Sequence, residues 1–247
     1  MVLYILAKGL HSRRMDGTYM DNPAVHPGMM RVEELFAPDN TIAWKYLAEL
    51  VWPWEALTET GRYISELGFS LDTSEYEAHP DNVWIHRTAS VAKSAYIGSS
   101  VIICAGAEIR HCAYIRNDAI VGKNAVVGNS TELKNVILFD NVQVPHYNYV
   151  GDSILGYKSH MGAGAITSNV KSDHSPVVVF CGTDKFETGL IKFGTILGDF
   201  VEVGCNSVLN PGSIIGPHTN VYPLSMVRGY IPAKSIFKKQ DDIVEKH

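Results

Sequence analysis

The sequence has few cysteines, no long apolar run and no excess of basic residues. Its four cysteines, Cys104, Cys112, Cys181 and Cys205, form no CxxC pair, which argues against a zinc knuckle and a disulfide framework. No apolar run approaches the roughly 18 residues that a membrane span needs. The formal net charge of -5 argues against a nucleic-acid partner. We therefore expect no metal, no membrane partner, no nucleic-acid partner, and a reducing compartment.

The opening segment lacks the pattern of a secretory signal. In MVLYILAKGLHSRR the basic residues follow the apolar run, whereas a signal peptide places them before it. The composition, 46% hydrophobic and 19% charged, is that of an ordinary globular protein with a sizeable core. Together these features predict a mature cytoplasmic protein.

An aliphatic residue returns every six positions from Ile85 to Leu133, and the same spacing resumes from Leu197 to Val227. A small or β-branched residue precedes each of them by two places. Residues two apart lie on one face of a strand, whereas a six-residue spacing on a helix scatters side chains around the axis. The repeat therefore predicts a mainly β fold, a parallel β-solenoid whose coils share one narrow core.

The solenoid is predicted over residues 81–232. The repeat breaks at about residues 168–194, which predicts an inserted loop. Residues 233–247 are charged and are predicted to be a short helix or an extended arm.

Residues 1–80 form a separate N-terminal segment. Residues 1–30 show no clear period and are predicted to be irregular or to form short strands. Two helical patterns follow, beginning near Asn40 and ending near Gly68. Their tryptophans offer a surface that a cofactor could stack on, but the expectation is a helical hairpin that packs against the solenoid and caps its first coil.

The repeat also slips between Asn135 and Leu155, and His146 lies in this stretch directly after Pro145. Segments that depart from a rigid scaffold commonly carry binding residues. Transfer of an acyl group from a thioester to an amine needs a base, and histidine has the pKa for that role at neutral pH. His146 is therefore a candidate general base, the alternative being an ordinary corner or surface histidine.

Arg116 and Lys134 are eighteen residues apart, which is three repeat units and one whole turn of a three-sided coil. We therefore expect them to stack on the same face, one coil above the other. Two stacked cations favour a phosphate site, and the alternative is a pair of solvated surface charges.

The stretch from Arg116 to Asn169 also carries a resemblance to a known family. The matching text is IR at 115–116, GNSTELKN at 128–135, VPHYNYVGD at 144–152 and MGAGAIT at 161–167, in one register without gaps. It resembles the hexapeptide-repeat acyltransferases, in particular the acetyltransferase domain of bifunctional N-acetylglucosamine-1-phosphate uridylyltransferase/glucosamine-1-phosphate acetyltransferase. The resemblance implies a left-handed β-helix, a homotrimer with sites between neighbours, and acetyl-CoA as co-substrate. The implied reaction is N-acetylation of an amino-sugar phosphate or a nucleotide-linked amino sugar.

The resemblance also implies roles for individual residues. His146 falls on the family's catalytic base, and Arg116 and Lys134 fall on positions that bind the sugar phosphate. The remaining implied contacts are with substrate at Tyr149, Asn169 and His160, and with acetyl-CoA at Ala163 and Cys205.

Three positions depart from the family pattern. His160 replaces an asparagine, Val170 replaces a tyrosine, and Cys205 replaces a serine. These departures favour an alternative in which the protein is a non-catalytic sugar-phosphate or nucleotide-sugar binding trimer. They leave open the identity of the acceptor.

The sequence disfavours two further activities. Residues 1–80 contain no Gly-rich nucleotide loop, so uridylyltransferase activity is not expected from this chain. The segment Ile115-Arg116-Asn117-Asp118 resembles a motif of the γ-type carbonic anhydrases. That family needs three zinc-binding histidines, two of them about five residues apart. His146 and His160 are fourteen apart, which disfavours this reading.

Overall fold

The computed structural model describes residues 12–13, 19–20 and 26–246. Most of the lead predicted over residues 1–30 lies outside the described residues. The helices are α1 (Val32–Leu35), α2 (Trp44–Leu47) and α3 (Thr60–Gly68), with 3₁₀ segments at Pro27–Met30 and Pro53–Thr58. None of the helices in the described range has the length and apolar character that crossing a lipid bilayer requires.

The strands are short and follow one another closely along the chain. They are β1 (Ser12–Arg13), β2 (Tyr19–Met20), β3 (Tyr76–His79), β4 (Val83–His86), β5 (Ser90–Val91), β6 (Tyr96–Ile103), β7 (Glu108–Ile109), β8 (Tyr114–Val121), β9 (Val126–Asn129), β10 (Glu132–Leu138), β11 (Gln143–His146), β12 (Tyr149–Leu155), β13 (His160–Met161), β14 (Ile166–Thr167), β15 (Val178–Cys181), β16 (Asp184–Glu187), β17 (Thr195–Leu197), β18 (Glu202–Val203), β19 (Val208–Leu209), β20 (Ser213–Ile215), β21 (Asn220–Val221), β22 (Met226–Val227), β23 (Tyr230–Ile231), β24 (Ser235–Lys239) and β25 (Asp242–Glu245).

Parallel ladders wind these strands into a solenoid. One sheet contains β4, β6, β8, β10, β12, β14, β19 and β22, and a second contains β5, β7, β9, β11, β13, β18, β21 and β24. The second half of β12 is continued by β17, β20 and β23, which extend a third run of strands. The mainly β, left-handed β-helix prediction is confirmed, with about nine turns in the described range and few helices.

The repeating aliphatic residues stack on one another in the core. Ile109 lies opposite Val91 on the preceding coil and Val127 on the following one, and Val127 lies opposite Val144. Ile109, Val127 and Val144 are fully buried, whereas Val91 is 36% exposed because it belongs to the first coil.

The slip of the repeat has a simple structural cause. Glu132 lies opposite Tyr114 on one side and Tyr149 on the other, so the preceding turn contains eighteen residues and the following turn seventeen. The pairing of β10 with β8 shifts register between Leu133 and Val136, which is where the residue is lost. The turn that contains His146 and the next one, from Tyr149 to Ile166, both contain seventeen residues.

The N-terminal helical segment lies along the side of the solenoid. The ring of Phe36 packs 4.7 Å from that of Phe139, and the Ala37 amide donates a 2.7 Å hydrogen bond to Asp199. Trp54 contacts Phe193 at 6.0 Å between ring centroids. The expected packing of the tryptophans against the solenoid is found. At the first coil, β3 pairs antiparallel with β4, and the ring of Phe69 lies 5.5 Å from that of Trp84. The cap over the first coil stays a prediction.

The predicted helices are shorter than their sequence patterns. Pro53 begins a 3₁₀ segment, and the Glu55 carboxylate accepts the Val51 and Trp52 amides at 3.2 and 2.9 Å, which separates α2 from α3. The expected end at Gly68 is found, and a Cβ at that position would overlap the ring of Trp84.

The two segments that interrupt or follow the repeat both contain hairpins. Within residues 168–194, β15 and β16 pair antiparallel, and the Phe193 amide donates to the Asn169 carbonyl at 2.9 Å, which closes the loop at its base. In the tail, β24 adds to β21 and pairs with β25. The tail is thus extended, and the helical alternative is wrong.

Candidate active site

The candidate residues lie around the corner at which β11 ends and β12 begins. His146 is the last residue of β11 and Tyr149 the first of β12, so Tyr147 and Asn148 form the corner. Tyr147 has a φ of 52°, and Asn148 is 2% exposed. The corner therefore places His146 and Tyr149 on adjoining faces.

Asn148 holds this corner in place. Its side-chain amide donates to the carbonyls of Gly162 and Ala165 on the next coil, both at 2.9 Å, and its oxygen accepts the His146 amide at 3.1 Å. A buried amide with these partners is costly to remove, because the backbone groups would be left unpaired. The sequence did not single out Asn148, although it lies within the stretch at 144–152 that resembles the family.

His146 is exposed at the corner, and its carbonyl accepts the Gly164 amide at 3.0 Å. Among the described residues, its imidazole has no hydrogen-bond partner. Its backbone is therefore fixed by neighbouring coils while its side chain is exposed. Such a side chain is available to a ligand.

Lys134 belongs to a network that the sequence did not reveal. Its Nζ lies 2.7 Å from Oδ1 of Asp152, whose side chain is 3% exposed. The side-chain amides of Asn135 and Asn169 also donate to the Asp152 carboxylate, the former at 2.9 Å. Lys134 is itself only 18% exposed, so it is not a solvated surface charge.

Tyr149 joins the same network. Its hydroxyl oxygen lies 3.3 Å from the side-chain nitrogen of Asn169. Burial raises the pKa of Tyr149, and the negative charge of Asp152 raises it further. Gly151 makes room for this hydroxyl, since a Cβ there would lie 2.5 Å from it.

Arg116 lies one coil before Lys134. Leu133 is opposite Ile115, and the cations follow these two residues directly, as the eighteen-residue spacing predicts. The Arg116 guanidinium forms a 3.0 Å ion pair with Glu132, and both side chains are partly exposed. Each of the two cations therefore has its own carboxylate partner.

The two predicted cofactor residues lie on the corner that carries His146. The Ala163 carbonyl accepts the Asn206 amide at 2.9 Å, and the Cys205 carbonyl accepts the Leu224 amide at the same distance. Cys205 is an exposed free thiol. Ala163 and Cys205 thus lie on the next two coils after His146.

The departures from the family pattern also have defined places. His160 lies opposite Gln143 and contacts Glu202 at 2.9 Å through Nδ1, on the face that contains β11 and β13. Val170 forms an isolated bridge with Lys192 at the base of the loop. His160 therefore lies apart from the network of Lys134, Tyr149 and Asn169. In the described part of the chain, no group of three His, Cys, Asp or Glu side chains is arranged to hold a metal ion.

The coil geometry and the corner site define the class of hexapeptide-repeat β-helix proteins. The chain belongs to the family described as GMPPB C-terminal domain, whose model matches residues 101–231, just over half of the sequence. This match covers the coils that carry all of the candidate residues.

Curated relatives confirm the resemblance found in the sequence. The chain is 35% identical over 115 residues to the bifunctional protein GlmU of Methanococcus maripaludis, which covers 47% of this chain and 28% of the relative. It is 30% identical over 109 residues to a bifunctional sugar-1-phosphate nucleotidylyltransferase/acetyltransferase of Sulfurisphaera tokodaii, covering 44% of this chain and 27% of the relative. The chain thus spans little more than a quarter of the length of these relatives.

A solved structure gives a more distant match. The acetyltransferase domain of PglB from Neisseria gonorrhoeae, in complex with acetyl coenzyme A, is 17% identical with a TM-score of 0.28. That match covers 62% of this chain and 53% of the other.

Proposed function

We propose that this protein is an acetyl-CoA-dependent N-acetyltransferase that acts on an amino-sugar phosphate or a nucleotide-linked amino sugar. The observation that carries the proposal is that the exposed His146 lies one corner before Tyr149, which belongs to the ordered network of Lys134, Asp152 and Asn169. A free base next to oriented polar groups is the arrangement that acyl transfer to an amine requires.

His146 is the general base of the proposed reaction. Its imidazole removes a proton from the acceptor nitrogen as that nitrogen attacks the thioester carbonyl, and a tetrahedral intermediate forms. The intermediate collapses by breaking the carbon–sulfur bond, and the imidazolium returns the proton to the departing CoA thiolate. Histidine suits both steps because its ordinary pKa lies near neutrality.

Arg116 and Lys134 bind the anionic group of the acceptor in this proposal. Both cations lie on one face, one coil apart, and Lys134 is oriented by its 2.7 Å contact with Asp152. A phosphate adds further charge-assisted hydrogen bonds to side chains that are already ordered, which reduces the entropy cost of binding. Tyr149 and Asn169 are the side chains that contact the sugar in this proposal, with His160 as a further substrate contact.

Acetyl-CoA runs along the corner past Ala163 and Cys205. These residues lie on consecutive coils from His146, so a ligand laid along the corner brings its thioester towards the imidazole. Position 163 has only a methyl side chain, which allows close approach of an extended chain.

The assembly we propose is a homotrimer with sites between neighbouring solenoids. A column of outward side chains along one sheet includes Tyr96, Tyr114, Ile166 and Met226, each at least 36% exposed. Exposed apolar side chains in a column support association with another copy. A second copy would also supply the concavity that a flat sheet face does not offer a ligand. The compartment we propose is the cytoplasm, because all four cysteines are free thiols.

A non-catalytic binding trimer is the second candidate. The observation that favours it is the 2.9 Å contact of His160 with Glu202, which occupies a side chain expected to contact substrate. This candidate predicts ligand binding without turnover.

Release of free thiol from acetyl-CoA separates the two candidates. The assay uses a panel of amino-sugar phosphates and nucleotide-linked amino sugars, with the corresponding N-acetylated sugars as blocked controls. We expect acceptor-dependent thiol release with at least one amine and none with its acetylated counterpart. Binding of panel members without thiol release would instead support the non-catalytic trimer.

A further inference from the structure

A cleft of about 560 Å³ lies between the loop of residues 168–194 and the solenoid. Ser168 and Lys171 line it at the base of the loop, Phe180 from β15, and Arg228 from the solenoid. None of the candidate active-site residues lines it, but Asn169 lies between two that do. The cleft is therefore a separate space that adjoins the site.

Arg228 lies on the same outward column as Lys134. Lys134 is opposite Gly151, and Thr167, Leu209 and Val227 are opposite one another on the later coils. Tyr149 is opposite Ile166, so Gly151 is level with Ser168. Ser168, Asn210 and Arg228 directly follow Thr167, Leu209 and Val227, and they point outward because side chains alternate along a strand. The column therefore runs Lys134, Gly151, Ser168, Asn210, Arg228. At about 4.8 Å per coil, Arg228 lies roughly 19 Å from Lys134 along the axis.

Arg228 differs in charge balance from Arg116 and Lys134. Its guanidinium lies over the ring of Phe180, 5.6 Å from the centroid, and forms no ion pair with any carboxylate in the described part of the chain. A guanidinium held over an aromatic ring keeps its planar donors in a fixed orientation. It is a cation without a protein counter-ion at the wall of a cleft.

Lys171 supplies a second cation. Its Nζ hydrogen-bonds the Ser175 hydroxyl and lies 3.6 Å from the Asp173 carboxylate, which is 63% exposed. A backbone hydrogen bond from Ser175 is the main cause that lowers the pKa of Asp173, so this carboxylate stays ionised and offsets part of the Lys171 charge. The cleft thus has two cations and one largely solvated anion among these three groups.

We propose that this cleft binds a phosphate group of one of the two co-substrates, through Arg228 and Lys171. The proposal rests on the proposed function, because that function supplies the two ligands that carry phosphate esters. One source is CoA, and the other is the diphosphate of a nucleotide-linked sugar. Both present the oxygens that a guanidinium and an ammonium recognise together.

Calorimetric titration of the full chain tests the proposal with CoA and UDP as probes and with pantetheine and uridine as phosphate-free counterparts. We expect Arg228→Ala and Lys171→Ala to weaken binding of CoA or of UDP at least tenfold, and Arg228→Lys to weaken it less. Binding of the phosphate-free counterpart should be unchanged. Weaker binding of CoA by these variants assigns the cleft to the cofactor, and weaker binding of UDP assigns it to the acceptor.

Lys185→Ala is the matched control. Lys185 lies 5.8 Å from the same Phe180 ring but does not line the cleft, so its removal tests the loss of a ring-bound cation alone. We expect wild-type binding from it. The proposal is overturned if both probes bind Arg228→Ala and Lys171→Ala as they bind the wild type, if neither binds the wild type, or if Lys185→Ala loses as much.

Acetyl transfer is measured on the same variants. This assay separates the proposed phosphate site from the proposed acetyltransferase activity. If the variants bind CoA and UDP as the wild type does and turn over at the wild-type rate, the phosphate site is contradicted and the acetyltransferase proposal is kept. If the wild type shows no turnover but its binding of CoA or UDP depends on Arg228, the acetyltransferase proposal is contradicted and the phosphate site is kept.

Discussion

The Lys134 ammonium lies 2.7 Å from the Asp152 carboxylate, across consecutive coils of the solenoid. Asp152 is almost completely buried, and it also accepts hydrogen bonds from Asn135 and Asn169. One carboxylate thus orients a cation and an amide from β10 and a second amide from the loop after β14. The ordering of the candidate site depends on it.

Replacement of Asp152 should affect stability more than replacement of the partly exposed Glu132. Asp152→Asn removes the charge that Lys134 faces in a mostly buried setting, with an expected loss of about 1–3 kcal/mol of unfolding free energy. Glu132→Gln breaks the partly exposed pair with Arg116 and should cost less than about 1 kcal/mol. Urea denaturation of both variants measures the difference. Equal losses would mean that Asp152 has no special structural role.

The core assignment is tested by a pair of residues that face each other on adjacent coils. Ile109→Asp places an unpaired carboxylate in a fully buried position and should lower the unfolding free energy by several kcal/mol. Val91→Asp, on the partly exposed first coil, should cost much less. Thermal melts that are alike for both variants would contradict the inward orientation of the repeat.

The six-residue repeat was sufficient to predict the solenoid because the buried positions of the early coils obey it, as Ile109, Ile115 and Val127 show. Val144 pairs with Val127 from 17 residues away, which is where the repeat slips. It did not predict where the helical segment lies. That depends on outward residues such as Phe139 and Phe193, which the repeat does not constrain.

The candidate site was predicted only in part for a related reason. Arg116, Lys134 and His146 stand out by charge and by the slip of the repeat. Asp152 and Asn148 act through contacts between coils, 17 residues apart or nearly so, which become visible only when the shortened turn is known. The six-residue spacing alone does not predict that a turn contains seventeen residues.

Removal of Arg116 or Lys134 should raise the acceptor KM. The losses from Arg116→Ala and Lys134→Ala should be less than additive in the double variant if both side chains hold one phosphate. Steady-state kinetics with an acceptor found in the panel measures this coupling. Arg110→Ala is a suitable control, because Arg110 forms a similar exposed ion pair with Glu108 elsewhere on the solenoid. Fully additive losses, or none, would contradict a shared phosphate site.

The four cysteines should divide into two reactive and two unreactive thiols. Burial raises the pKa of Cys104 to about 12 and that of Cys181 to about 11. Since the thiolate is the reactive form, a raised pKa lowers its population at pH 8 and slows labelling. Cys112 and Cys205 are exposed and should react first with a disulfide reagent. Unfolding should make all four react alike.

The same experiment tests the course of acetyl-CoA along the corner. Saturating acetyl-CoA should protect Cys205 from labelling and leave Cys112 unprotected, with Cys205→Ser identifying which thiol is lost. Equal labelling of Cys205 with and without the cofactor would contradict the proposed path.

The most direct test of the proposed mechanism is the kcat of His146→Ala. A positioned base acts in the transition state, so we expect kcat to fall by about 10²–10⁴ while acetyl-CoA affinity and the melting temperature stay near wild type. The wild-type kcat/KM should rise with pH as the general base loses its proton, and the variant should lack this rise. Turnover at the wild-type rate with the same rise would show that His146 is not the base.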